Sequence, residues 1–250
     1  MIDLLTLEAY CNNLLSVETF DDYCPNGLQV EASAQVRKLM VGVTASQALI
    51  EAAGEWGADA LLVHHGYFWK GEAQALRGMK GRRVASLFRQ KTSLLAYHLP
   101  LDAHDTYGNN RQLGDRLGFP RAEPTQAGHG FVWQSVLSEP LPAKTLGAQL
   151  GSVLGREPLH IEPNQRSLTR IGWCTGAAQG YIEAAAELGL DAYISGEISE
   201  PTVHLSRELD IHYFAAGHHA TERYGVEALG RHLAERFGLE WCFRDIGNPV

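Results

Sequence analysis

Along the chain, stretches whose apolar residues recur with helical spacing alternate with short runs of consecutive apolar residues, as expected for strands buried between helices. Thr6 to Ser16 has the helical spacing, with Leu7, Tyr10, Leu14 and Leu15 on one side and Thr6 as the expected N-cap. Cys24-Pro25-Asn26-Gly27 carries turn chemistry, and Val36 to Val43 then thickens into a strand. Gln47 to Trp56 is alanine-rich and helical, Gly57 stops it, and Asp59 to Val63 reads as a buried strand ending at His64-His65. Strand, helix, strand in that order implies a parallel α/β unit, because parallel strands need a long crossover that a helix supplies.

The pattern recurs. Ile50 to His65 set against Ile182 to Glu197 without gaps is identical at eight of sixteen positions, and Val41-Gly42-Val43 corresponds to Ile171-Gly172-Trp173. Ser93 to His98 likewise resembles Ile211 to Ala216, each an apolar strand running into a histidine-bearing loop. An internal duplication is the expected cause, giving an α/β fold of two similar lobes. Breakers from Glu123-Pro124 through Gly130, with Pro140 and Pro142, place the boundary near residue 125. The expected domains are therefore 1–125 and 126–250, with the C-terminal helix packing back on the first lobe.

Composition narrows the function classes. The 250 residues are 45% hydrophobic and 20% charged, which excludes disorder and coiled coil. A formal net charge of −8 argues against broad electrostatic capture of nucleic acid or of an anionic membrane. The N-terminal eight residues hold two acids and lack the basic start and apolar run of a signal peptide. The four cysteines, Cys11, Cys24, Cys174 and Cys242, are far apart and unpaired in spacing, so reduced thiols in a cytoplasmic protein are expected.

Six of the eleven histidines fall in three clusters. His64-His65-Gly66 follows a buried strand, and carboxyl ends of parallel strands are where α/β proteins bind ligands. His98-Leu99-Pro100-Leu101-Asp102-Ala103-His104-Asp105 follows another, with Pro100 fixing the backbone near Asp102 and Asp105 expected to cap the next helix. In Gly217-His218-His219-Ala220-Thr221-Glu222, His218 and Glu222 are four apart, so on a helix both project from one face. Each cluster alone is ordinary. Together, His64, His65, Asp102, His218 and Glu222 suit a two-metal centre in which a carboxylate bridges and open positions remain for water.

These motifs resemble the GTP cyclohydrolase 1 type 2 family, also called YbgI-like or NIF-three-like, over essentially the whole chain. The resemblance rests on His64-His65-Gly66 with Phe68-Trp69, on His98-Leu99-Pro100-Leu101-Asp102, on Ser195-Gly196-Glu197, and on Gly217 to Glu222. It implies a dinuclear metal site held by those five ligands, with Glu222 bridging, in the cleft between the lobes. It also implies His98 as a proton carrier or substrate contact, and a toroidal homohexamer without the domain inserted in longer relatives. The duplicated loop carries Gly196-Glu197 where the first has His64-His65, which favours one shared site and leaves Glu197 a supporting role. The implied activity is hydrolysis of the imidazole ring of GTP, with a phosphoesterase or another nucleotide hydrolase fitting the same ligands. A metal-binding regulatory or scaffold protein is the alternative, and the lack of a Walker-type phosphate loop speaks for it. Zinc, iron, manganese and nickel all suit the mixed imidazole and carboxylate set.

Overall fold

The structure is a computed structural model describing residues 1–250, and the chain divides into two compact units. One comprises Met1–Gly108 with Gly225–Ile246, the other Asn109–Tyr224 with Gly247–Val250. The division thus falls ahead of the breaker-rich segment near residue 125. The reason is the helix Asn109–Arg116, which buries Leu113 in the core of the second unit and whose Asn110 carbonyl accepts from the Trp173 indole at 2.9 Å.

In the first unit a five-stranded sheet runs in the order Glu240–Phe243, Lys38–Thr44, Ala60–His65, Ser93–Ala96, Gly27–Val30. The first four strands are parallel and Gly27–Val30 closes the edge antiparallel. Side chains alternate between the faces of each strand. Leu39, Val41 and Leu62 pack against Leu4 and Leu7 of the helix Leu4–Leu14 and against Val226, Leu229 and Leu233 of the helix Arg223–Phe237. Met40, Leu61 and Val63 pack on the opposite face against Leu49, Ile50 and Ala53 of Gln47–Trp56, and against Val84 and Leu87 of Gly78–Gln90. The helix Gln47–Trp56 ends as its sequence requires, with Gly57 at φ 74°. The first helix does not start as expected. Asp3 is its N-cap, accepting from the Thr6 N–H at 3.0 Å, so Thr6 lies inside the first turn.

The second unit holds a six-stranded sheet in the order Glu123–Pro124, Trp133–Leu141, Leu168–Cys174, Ala192–Ser195, His212–Ala215, Leu159–Ile161. Its three strands Leu168–Cys174, Ala192–Ser195 and His212–Ala215 are parallel. Ile171, Trp173, Ile194 and Phe214 cover one face with Leu146, Leu150 and Leu154 of the helix Ala143–Leu154. Tyr193, Tyr213 and Ile211 cover the other with Ile182 and Ala185 of Ile182–Glu187.

The residues that repeat in sequence do the same job in each unit. Asp59 Oδ2 accepts from the N–H groups of Arg37 and Lys38, and Asp191 Oδ2 from those of Thr169 and Arg170. In both cases the carboxylate ties the start of one parallel strand to the start of the preceding one. Gly57 and Gly189 stand at φ 74° and 69°, each turning a helix back toward the sheet.

No helix is long and apolar enough to cross a membrane. The four cysteines are free thiols, and burial pushes Cys11 and Cys24 up to about 12, away from reactive thiolate character.

Candidate metal centre

In the first unit, the clustered histidines lie at the carboxyl ends of parallel strands. His64 and His65 are the last two residues of Ala60–His65, and His98 follows Ser93–Ala96 by two positions. Neighbouring residues on a strand point to opposite faces, yet the two rings sit 4.6 Å apart at this terminus, His64 fully buried and His65 half-buried. The His98 ring is 5.0 Å from His64 and 5.8 Å from His65, and ligand nitrogens of all three lie within 4.8 Å of one another. Pro100 opens the short helix Leu99–Ala103, whose Asp102 is buried with Oδ1 3.5 Å from His64 Nε2. Asp105 does not cap the next helix. It is exposed, and His104 Nδ1 closes that turn by accepting from the N–H groups of Thr106 and Tyr107.

In the second unit, His218 and Glu222 meet as their spacing requires, with Nε2 3.1 Å from Oε2 and the Glu222 carboxylate buried. The helical turn His218–Thr221 that carries them is short, and its position comes from the loops behind it. Gly176, Gly196 and Gly217 follow the three parallel strands and are laced together: Gly196 N–H donates to Gly176 O and Gly217 N–H to Gly196 O, both at 2.9 Å. Ser195 adds a hydroxyl that donates to Gly176 O and accepts from the Ala178 N–H, each at 3.1 Å. A Cβ on Gly176 would collide with the Glu222 carboxylate, so this glycine makes room for that side chain.

The hydrogen bonds at the far side of the rings identify the atoms offered. His64 Nδ1 faces the Tyr97 carbonyl at 2.9 Å, His98 Nδ1 the Asp22 carboxylate at 2.7 Å, and His218 Nδ1 the Glu197 carboxylate at 2.7 Å. A carbonyl or carboxylate can only accept, so each Nδ1 carries the proton, and the Nε2 atoms of His64 and His218 face the Asp102 and Glu222 carboxylates. His65 Nδ1 pairs with the Thr44 hydroxyl at 3.2 Å, a partner compatible with either tautomer. In each unit, imidazoles backed by carboxylate or carbonyl lie beside a carboxylate, Asp102 in the first and Glu222 in the second, and these are donor types suited to divalent cations.

Electrostatics agree with that use. Burial alone would pull His218 down, but the Glu222 and Glu197 carboxylates outweigh it and push it up to about 9. Burial likewise opposes the charge on Asp22, and hydrogen bonds from His98, Asn26 and the Leu99 N–H still hold its carboxyl below the usual range.

Two supporting residues are thus visible only in the structure or are sharpened by it. Asp22 carries no signal in the sequence, because it lies 76 residues from His98 on a loop with no periodicity. Its Oδ2 also accepts from Leu99 N–H and from the Asn26 amide, while Asn26 Oδ1 accepts from His98 N–H, so the His98 turn is clasped at three points and the two clasping residues are tied to each other. Glu197, expected to support the site, pairs with His218 Nδ1 at 2.7 Å.

Comparison with known proteins places these features in a group. The sequence model of the Duf34/NIF3 (NGG1p interacting factor 3) family matches residues 3–249. A Vibrio cholerae protein named GTP cyclohydrolase 1 type 2 homolog is 55% identical over 253 residues, spanning 98% of this chain and 99% of its own. Among solved structures, protein ybgI, titled as of unknown function, superposes with a TM-score of 0.95 at 44% identity over all of both chains. TTHA1606 from Thermus thermophilus does so with a TM-score of 0.88 at 32% identity, again over all of both chains.

Proposed function

The chain belongs to the Duf34/NIF3 family, and on that premise we propose that it is a dinuclear-metal-dependent hydrolase of the GTP cyclohydrolase type. The observation that carries the reading is the set of imidazoles whose Nδ1 atoms are engaged by Tyr97, Asp22 and Glu197, leaving Nε2 atoms to work. In this proposal His64, His65, Asp102, His218 and Glu222 would hold two divalent cations. When bound, such cations supply Lewis acidity for activating water and polarising the carbon under attack.

The protein's own groups do the rest. His64 and His218 are locked in one ring orientation by their Nδ1 partners, so no rotamer entropy is lost on binding. His98, held by Asp22, keeps Nε2 directed by its clasped turn and carries a proton to the departing ring nitrogen. The substrate class is a nucleotide, with GTP the named candidate, since relatives bear the cyclohydrolase name.

Metal content and turnover test the reading together. Purified protein should hold two divalent cations per chain, release formate from GTP, and lose that activity on chelation with recovery on re-addition of metal. Turnover surviving in metal-free protein would exclude the mechanism. Full metal content with no turnover of nucleotides or phosphoesters would instead favour a metal-binding scaffold. The proposal extends to assembly as a toroidal hexamer, for which light scattering should give six chains per particle; a stable monomer contradicts it.

A further inference from the structure

We propose that Trp69 is the specificity-determining residue of this site, a fixed aromatic surface on which the planar ring of the substrate stacks beside the histidines. This rests on the reading of the site as one that takes a nucleotide.

Trp69 lies four residues beyond His65, half-buried, with its ring centroid 6.0 Å from His65 and 4.9 Å from His98 in an edge-to-face arrangement. Its one polar atom is already used, because the indole N–H donates to the Gly66 carbonyl at 3.2 Å. What the side chain still offers is apolar π surface.

The loop that presents it is braced at every step. Phe68 stands at φ 66°, a left-handed backbone that aromatic side chains rarely adopt. It is held there by Glu72, whose Oε2 accepts from the N–H groups of Phe68 at 2.9 Å and Trp69 at 3.2 Å. Lys80 pairs with the same oxygen at 2.8 Å and lays its ammonium over the Phe68 ring, 4.6 Å from the centroid. Behind, the Gln29 amide brackets Tyr67, accepting from its N–H at 2.7 Å and donating to its carbonyl at 3.1 Å. A side chain at Gly66 would collide with Gln29. Backbone strain of this kind persists where surrounding contacts over-determine it, and it concentrates at ligand clamps. Here all of the bracing converges on the placement of one indole.

Charge in the following segment fits an anionic ring compound. Residues 70–91 contain seven of the chain's 21 Lys and Arg residues and one of its 29 acids, Glu72, in a protein of net charge −8. The segment that follows Trp69 is therefore strongly basic, and a phosphorylated ring is better matched to it than a neutral one.

The test uses metal-loaded protein and 7-deaza-GTP, which keeps the planar purine-like surface and lacks the nitrogen needed for ring opening, with inorganic tripolyphosphate as the ring-free control. Calorimetric titration should show Trp69→Leu binding 7-deaza-GTP about 10-fold or more weakly than the native protein, and Trp69→Phe within about threefold, in line with the strength of base–aromatic stacking. Both variants should keep their full metal content and bind tripolyphosphate as the native protein does. Equal affinity of Trp69→Leu and native protein for 7-deaza-GTP overturns the inference and leaves the nucleotide reading standing. So does an equal loss of tripolyphosphate affinity, which would make the indole a structural prop. Native protein that binds no purine nucleotide overturns the substrate reading itself, and this inference with it.

Discussion

Glu222→Gln is expected to cut bound metal from two cations per chain to one or none, while the metal-free protein stays folded and melts somewhat below the native temperature because His218 loses a partner. The side chain is 4% exposed, beside His218 Nε2, with the backbone of Gly176 against it. Burying a carboxylate costs stability unless a charge compensates it, and in the metal-free protein the elevated His218 supplies that charge. Glutamine keeps the shape and removes the charge, so the fold loses little. On the proposed ligand set the metal-loaded protein loses much more, because a carboxylate that would hold metal is removed. Ligand that binds only the folded state stabilises it by about 2.7 kcal/mol at a hundredfold excess over Kd. The metal-induced rise in melting temperature should therefore shrink or vanish in the variant. Elemental analysis showing two cations still bound would remove Glu222 from the ligand set.

A surface pair supplies the control and also shows what sequence spacing can and cannot reveal. Glu200 and His204 have the same four-residue separation and meet at 2.9 Å, but their side chains are 80% and 60% exposed. His204→Ala should leave metal content unchanged. Spacing alone does not distinguish this pair from His218 and Glu222; burial does, and burial here comes from the glycine-laced loops after three parallel strands.

The same contrast runs through the fold. Gln47–Trp56, its stop at Gly57 and the buried strand ending at His64-His65 are legible because each is decided locally, by periodicity and by one glycine able to adopt positive φ. The first N-cap falls at Asp3 rather than Thr6 because both are good capping residues, and the choice depends on where Leu4 and Leu7 must sit in the core. The unit division at Gly108 is not legible because Asn109–Arg116 is mostly polar and is fixed by Trp173, more than 60 residues further on. Asp22 is invisible for the same reason, whereas Glu197 can be read as a supporting residue because the repeat aligns it with His65. Candidate ligands stand out in the sequence because their chemistry is rare. The residues that aim them are common types, defined only by what they touch.

Gly196→Ala is expected to have the second large effect, and it tests whether the candidate ligands of the second unit, His218 and Glu222, are positioned by backbone contact. A Cβ at residue 196 would lie 2.6 Å from the Gly176 carbonyl oxygen, 2.6 Å from His218 Cα and 3.0 Å from His218 N. All three are backbone atoms, so no side-chain rotation relieves the clash. Either the Gly176 loop or the start of the His218 turn must move, and the 2.9 Å hydrogen bonds linking Gly176, Gly196 and Gly217 spread that movement to Glu222. Overpacking of this kind costs about 1–3 kcal/mol, and ligands displaced by several tenths of an ångström should lose at least one cation per chain. Gly189→Ala separates this from simple glycine strain. Its φ is 69°, but a Cβ there meets nothing within 4 Å, so it should cost about 1 kcal/mol through left-handed backbone alone and retain all its metal. Thermal melts of the metal-free proteins, read beside metal content, decide the matter: equal metal retention in the two variants would show that His218 is not held by the Gly196 contact.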